Sequence, residues 1–291
     1  MNFLRCARLV MLLWLASESP KWSPIFAADA KDSVPPMRLL KTANGTHFGV
    51  FSEKPTAPAA TLFIFASGID EMGSDPTRYY TQTGRELAKE GWLYVVLDPP
   101  CHGYDRKEGE PAQLVGWAHR VKTGQDLIGP FVQRCTAVLD HLVAEGYTDP
   151  DRVAASGTSR GGFCALQFAA SEPRVRIVTG VAPVTNPLAL SEFAGVTSEQ
   201  AKSINFDSLA DRLVGRSVWL SIGNDDQRVS TDDCVSLARK LVTATRRLKP
   251  EMKVVPVELV VGPSEGHRAI DNAYQLEAQF LRKQLRPVSQ K

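Results

Sequence analysis

The run 157–162, Gly-Thr-Ser-Arg-Gly-Gly, has the residue types and spacing of a reactive hydroxyl on a tight turn. It follows the apolar segment 151–155, which we predict to be a strand, and precedes the apolar segment 163–170, which we predict to be a helix. Glycines flank the serine because a Cβ in so sharp a turn would collide with the backbone. Ser159 would stand at the tip, beside a positive helix N-terminus that stabilises an oxyanion. The pattern predicts a nucleophile; the alternative is a turn that only lets a helix pack closely on a strand.

A serine hydroxyl attacks well only when a base takes its proton, and the base needs a carboxylate that orients it. Two polar segments, 223–229 and 262–267, follow later apolar runs and hold suitable residues. His267 is the only histidine after the serine, so we predict that it is the base. Either Asp225 or Asp226 supplies the carboxylate, and the alternative role for each is to cap its own loop by side-chain hydrogen bonds.

The rest of the chain alternates between apolar runs and helical patterns. The runs that predict strands lie at 37–42, 48–52, 61–66, 92–97, 151–155, 175–181, 218–222 and 254–261, and the helical patterns lie at 78–90, 125–144, 163–170, 232–248 and 269–285. The first two runs flank Asn44-Gly45 and predict a hairpin, and Pro130 is expected to bend its helix. Such alternation predicts an α/β fold, a mainly parallel, doubly wound sheet with helices on both faces. Ligands bind at the carboxyl ends of such strands, where the reactive residues fall.

From these motifs the chain resembles an α/β-hydrolase over residues 37–286. The order Ser, Asp, His along the chain is that of the α/β-hydrolase triad. The spacing of Gly223, Asp226 and Val229 is similar to the Gly-x-x-Asp-x-x-Val of the dienelactone-hydrolase and prolyl-oligopeptidase-like branches. The resemblance therefore favours Asp226 over Asp225 as the triad acid.

The resemblance implies a serine hydrolase that cleaves a carboxylic ester through an acyl-enzyme, with no metal and no other cofactor. Its catalytic residues would be Ser159, Asp226 and His267. The oxyanion hole would use the backbone N–H groups of Arg160 and Ile69, with Gly68 as the alternative to Ile69. Two other readings stay open, a secreted peptidase or amidase with the same triad, and a catalytically silent binding protein.

Three further segments gain an interpretation from the resemblance. The segment 98–103 resembles the family's Asp-x-x-Gly-His-Gly turn, with His102 as a structural residue. The insertion 183–214 stands where the family places a lid and is short. Trp117, in the segment 104–122, is either a second wall of the pocket or a packed anchor, and we favour the anchor.

The N-terminal segment 1–30 differs in character from the rest. Arg5 and Arg8 precede the apolar run 9–16, and small residues follow near Ala30. This order predicts a secretory signal peptide, and therefore a secreted or periplasmic protein. The run is too short to span a bilayer, which needs about 20 residues, although an uncleaved anchor is the alternative. We expect a linker at 31–36 and a tail at 287–291.

Composition narrows the classes of partner. Lys and Arg total 34 against 32 Asp and Glu, a net charge of +2 without a basic stripe, which argues against nucleic acid as a partner. No Cys and His spacing predicts a metal site, and the four cysteines after residue 30 allow three pairings without selecting one. We expect a small-molecule ester as the substrate and no membrane span in the mature chain. No sequence feature indicates the oligomeric state.

Overall fold

One eight-stranded sheet runs through residues 36–285, the part of the chain that the computed structural model describes. The signal peptide predicted at 1–30 and the tail predicted at 287–291 lie outside the described residues, as does the predicted linker apart from residue 36. The strands are β1 (Arg38–Lys41), β2 (His47–Val50), β3 (Ala59–Phe65), β4 (Leu93–Val96), β5 (Thr148–Thr158), β6 (Val175–Val181), β7 (Ser217–Gly223) and β8 (Val257–Gly262).

The strand order across the sheet is β1-β2-β4-β3-β5-β6-β7-β8. The first two strands form the predicted antiparallel hairpin, and β2 also pairs antiparallel with β4. Every pairing from β4 to β8 is parallel. The predicted fold class, a mainly parallel doubly wound sheet of the α/β-hydrolase type, is confirmed.

Helices cover both faces of the sheet. They are α1 (Ile69–Ser74), α2 (Gln82–Ala88), α3 (Gln113–Lys122), α4 (Gly129–Ala144), α5 (Arg160–Ser171), α6 (Asp207–Arg212), α7 (Thr231–Leu248) and α8 (Ala273–Gln284). The sequence patterns did not predict α1 or α3. Pro130 does not bend its helix as expected, because α4 begins at Gly129 and the proline lies in the first turn. A missing N–H at that position breaks no helical hydrogen bond.

The strand β3 shows how the two cores are divided. All of its residues are buried, and successive side chains point to opposite faces of the sheet. Phe63 and Phe65 join the core that includes side chains of α3, α4, α5, α6 and α7. Leu62 and Ile64 join the core that includes side chains of α1, α2 and α8. A strand covered on both faces is rigid, so the loops at its carboxyl end start from a fixed point.

The insertion at 183–214 is short, as the sequence indicates, and it is tied to the core. It contains three single 3₁₀ turns besides α6. The side chains of Leu190, Phe193 and Ile204 are buried in the core on the α5 face. The insertion is therefore anchored by apolar packing at several points along its length.

Three further features, the cysteines, Trp117 and possible membrane-spanning helices, can be compared with the sequence analysis. The thiols of Cys101, Cys135, Cys164 and Cys234 are all buried and unpaired. Trp117 is fully buried, and its indole N–H donates to the carbonyl of Pro100 at 2.5 Å, so it is an anchor. Between residues 36 and 285, no helix combines the length and apolar character needed to cross a bilayer.

Candidate active site

Ser159 lies on the turn between β5 and α5, in a strained backbone conformation. Its φ of 55° and ψ of −120° are rarely adopted by a residue with a side chain. The Ser159 N–H donates to the Val181 carbonyl at 3.0 Å, and the Ser159 carbonyl accepts the N–H groups of Gly162 and Val184 at 3.0 and 2.9 Å. These hydrogen bonds hold the strained turn between two neighbouring segments and present the hydroxyl at the end of the sheet.

The glycines on either side of the serine are required by close backbone approach. A Cβ on Gly161 would overlap the carbonyl of Phe65 at the end of β3, and a Cβ on Gly157 would overlap the backbone of Gly161. The helix α5 therefore crosses the strand ends at a distance that only glycine permits. This is the steric reason for the Gly-x-Ser-x-Gly pattern at residues 157–161.

His267 joins the serine to a buried carboxylate. Its Nε2 lies 2.9 Å from Ser159 Oγ, and its Nδ1 lies 2.8 Å from Asp226 Oδ2. The histidine follows β8, the serine follows β5 and the aspartate follows β7. Three residues far apart in the chain thus meet at the carboxyl edge of the sheet, as predicted.

Asp226, and not Asp225, faces the imidazole. The Asp226 side chain is fully buried, and its Oδ1 accepts the backbone N–H groups of Arg228 and Val229 at 2.9 and 3.1 Å. The loop thereby orients the carboxylate and leaves Oδ2 for His267. Asp225 instead accepts a hydrogen bond from the side chain of Gln227 and has the alternative role of a loop residue.

The backbone N–H groups of the two predicted oxyanion donors, Arg160 and Ile69, have different surroundings. The N–H of Arg160 is in the first turn of α5, where the helix supplies no acceptor for it. The N–H of Ile69 is already donated to Asp98 Oδ1 at 2.8 Å, so the prediction that Ile69 is a donor is wrong. The physical reason is that Ile69 begins α1 and its N–H turns towards the end of β4. No hydrogen bond among the described residues uses the N–H of Gly68, the alternative donor.

The loop after β4 holds a second buried aspartate and histidine, which share no hydrogen bond. Asp98 accepts the N–H of Ile69 on one oxygen and the N–H of Tyr104 on the other, and burial raises its pKa to about 6. His102 donates through Nδ1 to the Pro100 carbonyl at 2.8 Å, and burial lowers its pKa to about 4. The pair fixes a loop beside the site, and His102 has the structural role expected from the sequence.

A cleft of about 260 Å³ opens around the serine. Its lining includes Tyr79 and Tyr80 from the segment before α2, Leu114 from α3 and Ala182 from the end of β6. No residue of the insertion 183–214 lines it, so the insertion supports the site from the side and does not cover the serine. Sequence reasoning placed the two tyrosines in the helical pattern 78–90 and gave them no role in the site.

The cleft around Ser159 also has a distinct charge, which comes from its basic side chains. Three arginines line it, Arg160, Arg228 and Arg268, together with His267. No motif links the three arginines along the sequence, and they were not predicted as a group. Within residues 36–285, no cluster of three His, Cys, Asp or Glu side chains is arranged to hold a metal ion.

Comparison with solved structures gives the same fold at low sequence identity. A cold-adapted esterase from an Arctic intertidal metagenomic library aligns with a TM-score of 0.58 and 17% identity, covering 86% of this chain and 93% of that one. Acetyl xylan esterase 1 from Thermoanaerobacterium sp. JW/SL YS485 aligns with a TM-score of 0.60 and 17% identity, covering 86% and 88%. A puromycin-hydrolyzing peptidase from Mycobacterium tuberculosis aligns with a TM-score of 0.63 and 16% identity, covering 86% of this chain and only 39% of that one.

Comparison of sequences assigns the family. No curated protein matches the chain. Residues 117–287, more than half of the 291 residues, match the model of the prolyl oligopeptidase family. That region contains Ser159, Asp226 and His267. The chain therefore belongs to the prolyl oligopeptidase family and is a serine hydrolase of the esterase or peptidase type.

Proposed function

We propose that the protein hydrolyses carboxylic esters through Ser159, His267 and Asp226. The observation that carries the proposal is the pair of hydrogen bonds on His267, 2.9 Å to the serine hydroxyl and 2.8 Å to the aspartate. An imidazole that donates its Nδ1 proton to a carboxylate keeps Nε2 free to accept the hydroxyl proton. The arrangement thus supports an activated serine.

The proposed reaction has two halves. Ser159 Oγ attacks the ester carbonyl while its proton passes to His267 Nε2, and that proton then goes to the departing alcohol. In the second half, water attacks the acyl carbonyl and gives a proton to the same nitrogen. That proton returns to Ser159 Oγ as the bond from the serine to the acyl group breaks and the acid leaves. The N–H groups of Arg160 and Gly68 stabilise the negative oxygen in each half, and each such donor contributes about 10²–10³ in turnover.

The covered lengths of the solved structures support an ester over a peptide as the substrate. The two esterases named above match this chain along 93% and 88% of their own length, whereas the chain spans only 39% of the mycobacterial peptidase. The second candidate is a peptidase or amidase with the same three residues, and the family assignment favours it. The ratio of rates on 4-nitrophenyl butyrate and the matched 4-nitroanilide separates the two functions.

The nucleophile is tested by labelling with a fluorophosphonate probe. We expect wild-type protein to be labelled and Ser159→Ala to be unlabelled, with a loss of at least about 10⁴ in kcat on 4-nitrophenyl butyrate. Ser171→Ala is the matched control, because Ser171 ends α5 and is exposed. Labelling or turnover that survives in purified Ser159→Ala would show that another residue is the nucleophile.

We also propose that the protein is exported to the periplasm or secreted. The support is the order of charged, apolar and small residues in 1–30. Expression of the full chain in a bacterial host, followed by mass spectrometry of the exported fraction, tests it. A protein that stays in the cytoplasm with its first thirty residues intact would contradict export.

A further inference from the structure

The cleft around Ser159 has an excess of positive charge. Its lining includes Arg160, Arg228 and Arg268 and no aspartate or glutamate. The whole protein is nearly neutral, with a net charge of +2. The excess at the cleft is therefore a local feature of the site.

The three arginines differ in how far their charges are compensated. Arg228 forms a 2.5 Å ion pair with Glu192 of the insertion, which neutralises it. Arg268 lies 3.8 Å from Glu265, and both side chains are largely exposed, so this pair is weak and screened by solvent. Arg160 forms no ion pair with any of the described residues. The uncompensated charge thus belongs to Arg160 and, in part, to Arg268.

Arg160 is held in place by neutral acceptors. Its Nε donates to the Ala66 carbonyl at 2.9 Å, and its two terminal nitrogens donate to Gln113 Oε1 and Ser67 Oγ, each at 3.4 Å. The nearest acid along this path is Glu71, which accepts the Ser67 hydroxyl and is one hydrogen bond removed from the arginine. A guanidinium has five N–H groups. Two remain after these contacts, on a side chain that is already positioned beside the nucleophile.

We infer that the natural ester carries an ionised carboxylate in addition to its ester group. This carboxylate binds Arg160, and Arg268 strengthens the binding. This inference rests on the proposed ester hydrolysis and names its substrate class. A guanidinium binds a carboxylate through two parallel hydrogen bonds, which suits a fixed side chain with two unused donors. An anion in the cleft would also supply the negative charge that the lining lacks.

Matched pairs of esters test the inference. One pair is mono-4-nitrophenyl succinate and 4-nitrophenyl butyrate, with the carboxylate in the acyl group. The other is 4-acetoxybenzoate and its methyl ester, with the carboxylate in the alcohol. The rate measured with Ser159→Ala protein is subtracted as the blank. In one of the two pairs, we then expect kcat/KM to be about tenfold higher for the ester that carries the carboxylate than for its neutral partner. The preference should shrink in 0.5 M NaCl, because salt screens the arginines. Equal or lower rates for both acids would overturn the inference.

Substitutions locate the source of the preference. Arg160→Gln should remove most of the acid-to-neutral ratio, and Arg268→Gln should lower it by about twofold to threefold. For each variant, the rate on the acid is divided by the rate on the neutral ester, which corrects for any effect of the substitution on the chemical step. Arg176→Gln is the matched control, because Arg176 lies at the opposite end of β6 from the cleft and pairs with Asp151. A ratio that falls equally in the control would mean that overall charge, and not the cleft, selects the acid.

Direct binding separates this inference from the proposed reaction. Ser159→Ala protein is titrated with monomethyl succinate and with dimethyl succinate, observed by ligand NMR. Tighter binding of the monoester, lost in the double variant with Arg160→Gln, supports the carboxylate site even where no ester is hydrolysed. Equal binding of the two esters, in a protein that hydrolyses 4-nitrophenyl butyrate, overturns the carboxylate site and leaves the proposed reaction standing.

Discussion

Asp226 and Asp98 occupy similar places in the fold and have different environments. Each follows a central strand, each is almost fully buried at 2% and 4% exposed, and each accepts two backbone N–H groups. In Asp226 both N–H groups bind one oxygen, so the other oxygen is left for His267. In Asp98 each oxygen receives one N–H, and the carboxylate ties its own loop to the start of α1. The comparison shows that the distribution of donors over the two oxygens decides which aspartate can orient a histidine.

The two histidines differ in the same way. The His267 side chain is 28% exposed and has a partner on each ring nitrogen. His102 is 3% exposed, and its buried Nε2 has no hydrogen-bond partner among the described residues. A substrate in the cleft can therefore reach the hydroxyl that His267 holds, while His102 remains a packed residue in the neighbouring loop.

Replacing each aspartate by asparagine is the strongest way to break the comparison. Asp226→Asn should lower kcat on 4-nitrophenyl butyrate by about 10⁴, because an amide stabilises the wrong imidazole tautomer and cannot stabilise its charged form. Asp98→Asn, the matched control, should lose far less. Steady-state rates with unchanged circular dichroism check this. A loss in Asp98→Asn as large as that in Asp226→Asn would remove the distinction.

The pH dependence of the free energy of unfolding tests the contrast between the two histidines, through the buried His102. Its folded-state pKa of about 4 lies below the usual 6.5, because burial disfavours the charged ring. The unfolded chain therefore binds more protons between these values, and wild-type stability falls as the pH drops from 6.5 towards 4. Relative to His102→Gln, the wild type should lose about 3 kcal/mol of unfolding free energy over this range. Urea titrations at several pH values measure it, and parallel curves for the two proteins would contradict the prediction.

The contribution of Asp98 to stability should change with pH in the opposite direction to that of His102, over an overlapping pH range. Burial raises its pKa from 3.8 to about 6, so the folded state binds more protons between these values. Wild-type stability relative to Asp98→Asn should therefore fall as the pH rises from 4 to 6, by about 2 to 3 kcal/mol. The same urea titrations measure the difference. A wild type that instead gains on the variant as the pH rises would mean that the loop stabilises the ionised carboxylate.

The smallest effect is expected at Asp225. Asp225→Asn should change kcat by less than about threefold, because its side chain binds Gln227 and not the imidazole. The same ester assay checks this. A loss comparable to that of Asp226→Asn would restore Asp225 as a candidate for the triad acid.

The sequence predicted the sheet and the three converging side chains because both leave strong local patterns. Continuous apolar runs identified the buried parallel strands, and 175–181 coincides with β6. The glycines at 157 and 161 mark a turn that only one geometry satisfies. Side chains at the ends of parallel strands then meet at one edge without further information.

Other features could not be read from the sequence, because they depend on backbone direction or tertiary contacts. The choice of Ile69 was wrong since a side-chain acceptor 29 residues away captures its N–H, and no residue pattern reports where an amide points. The helix α3 was missed because it begins at Gln113 in a left-handed conformation and includes Gly116 beside Cys101. Its packing on the loop after β4 replaces the local signals that usually mark a helix.

The left-handed backbone at Ser159 has a consequence for engineering. A residue with a Cβ is held there at a cost on the order of 1–3 kcal/mol, which glycine would not incur. Random mutagenesis screened only for heat resistance would thus tend to enrich glycine at this position and return robust but inert proteins. Selections for durability in this enzyme need a turnover screen in every round.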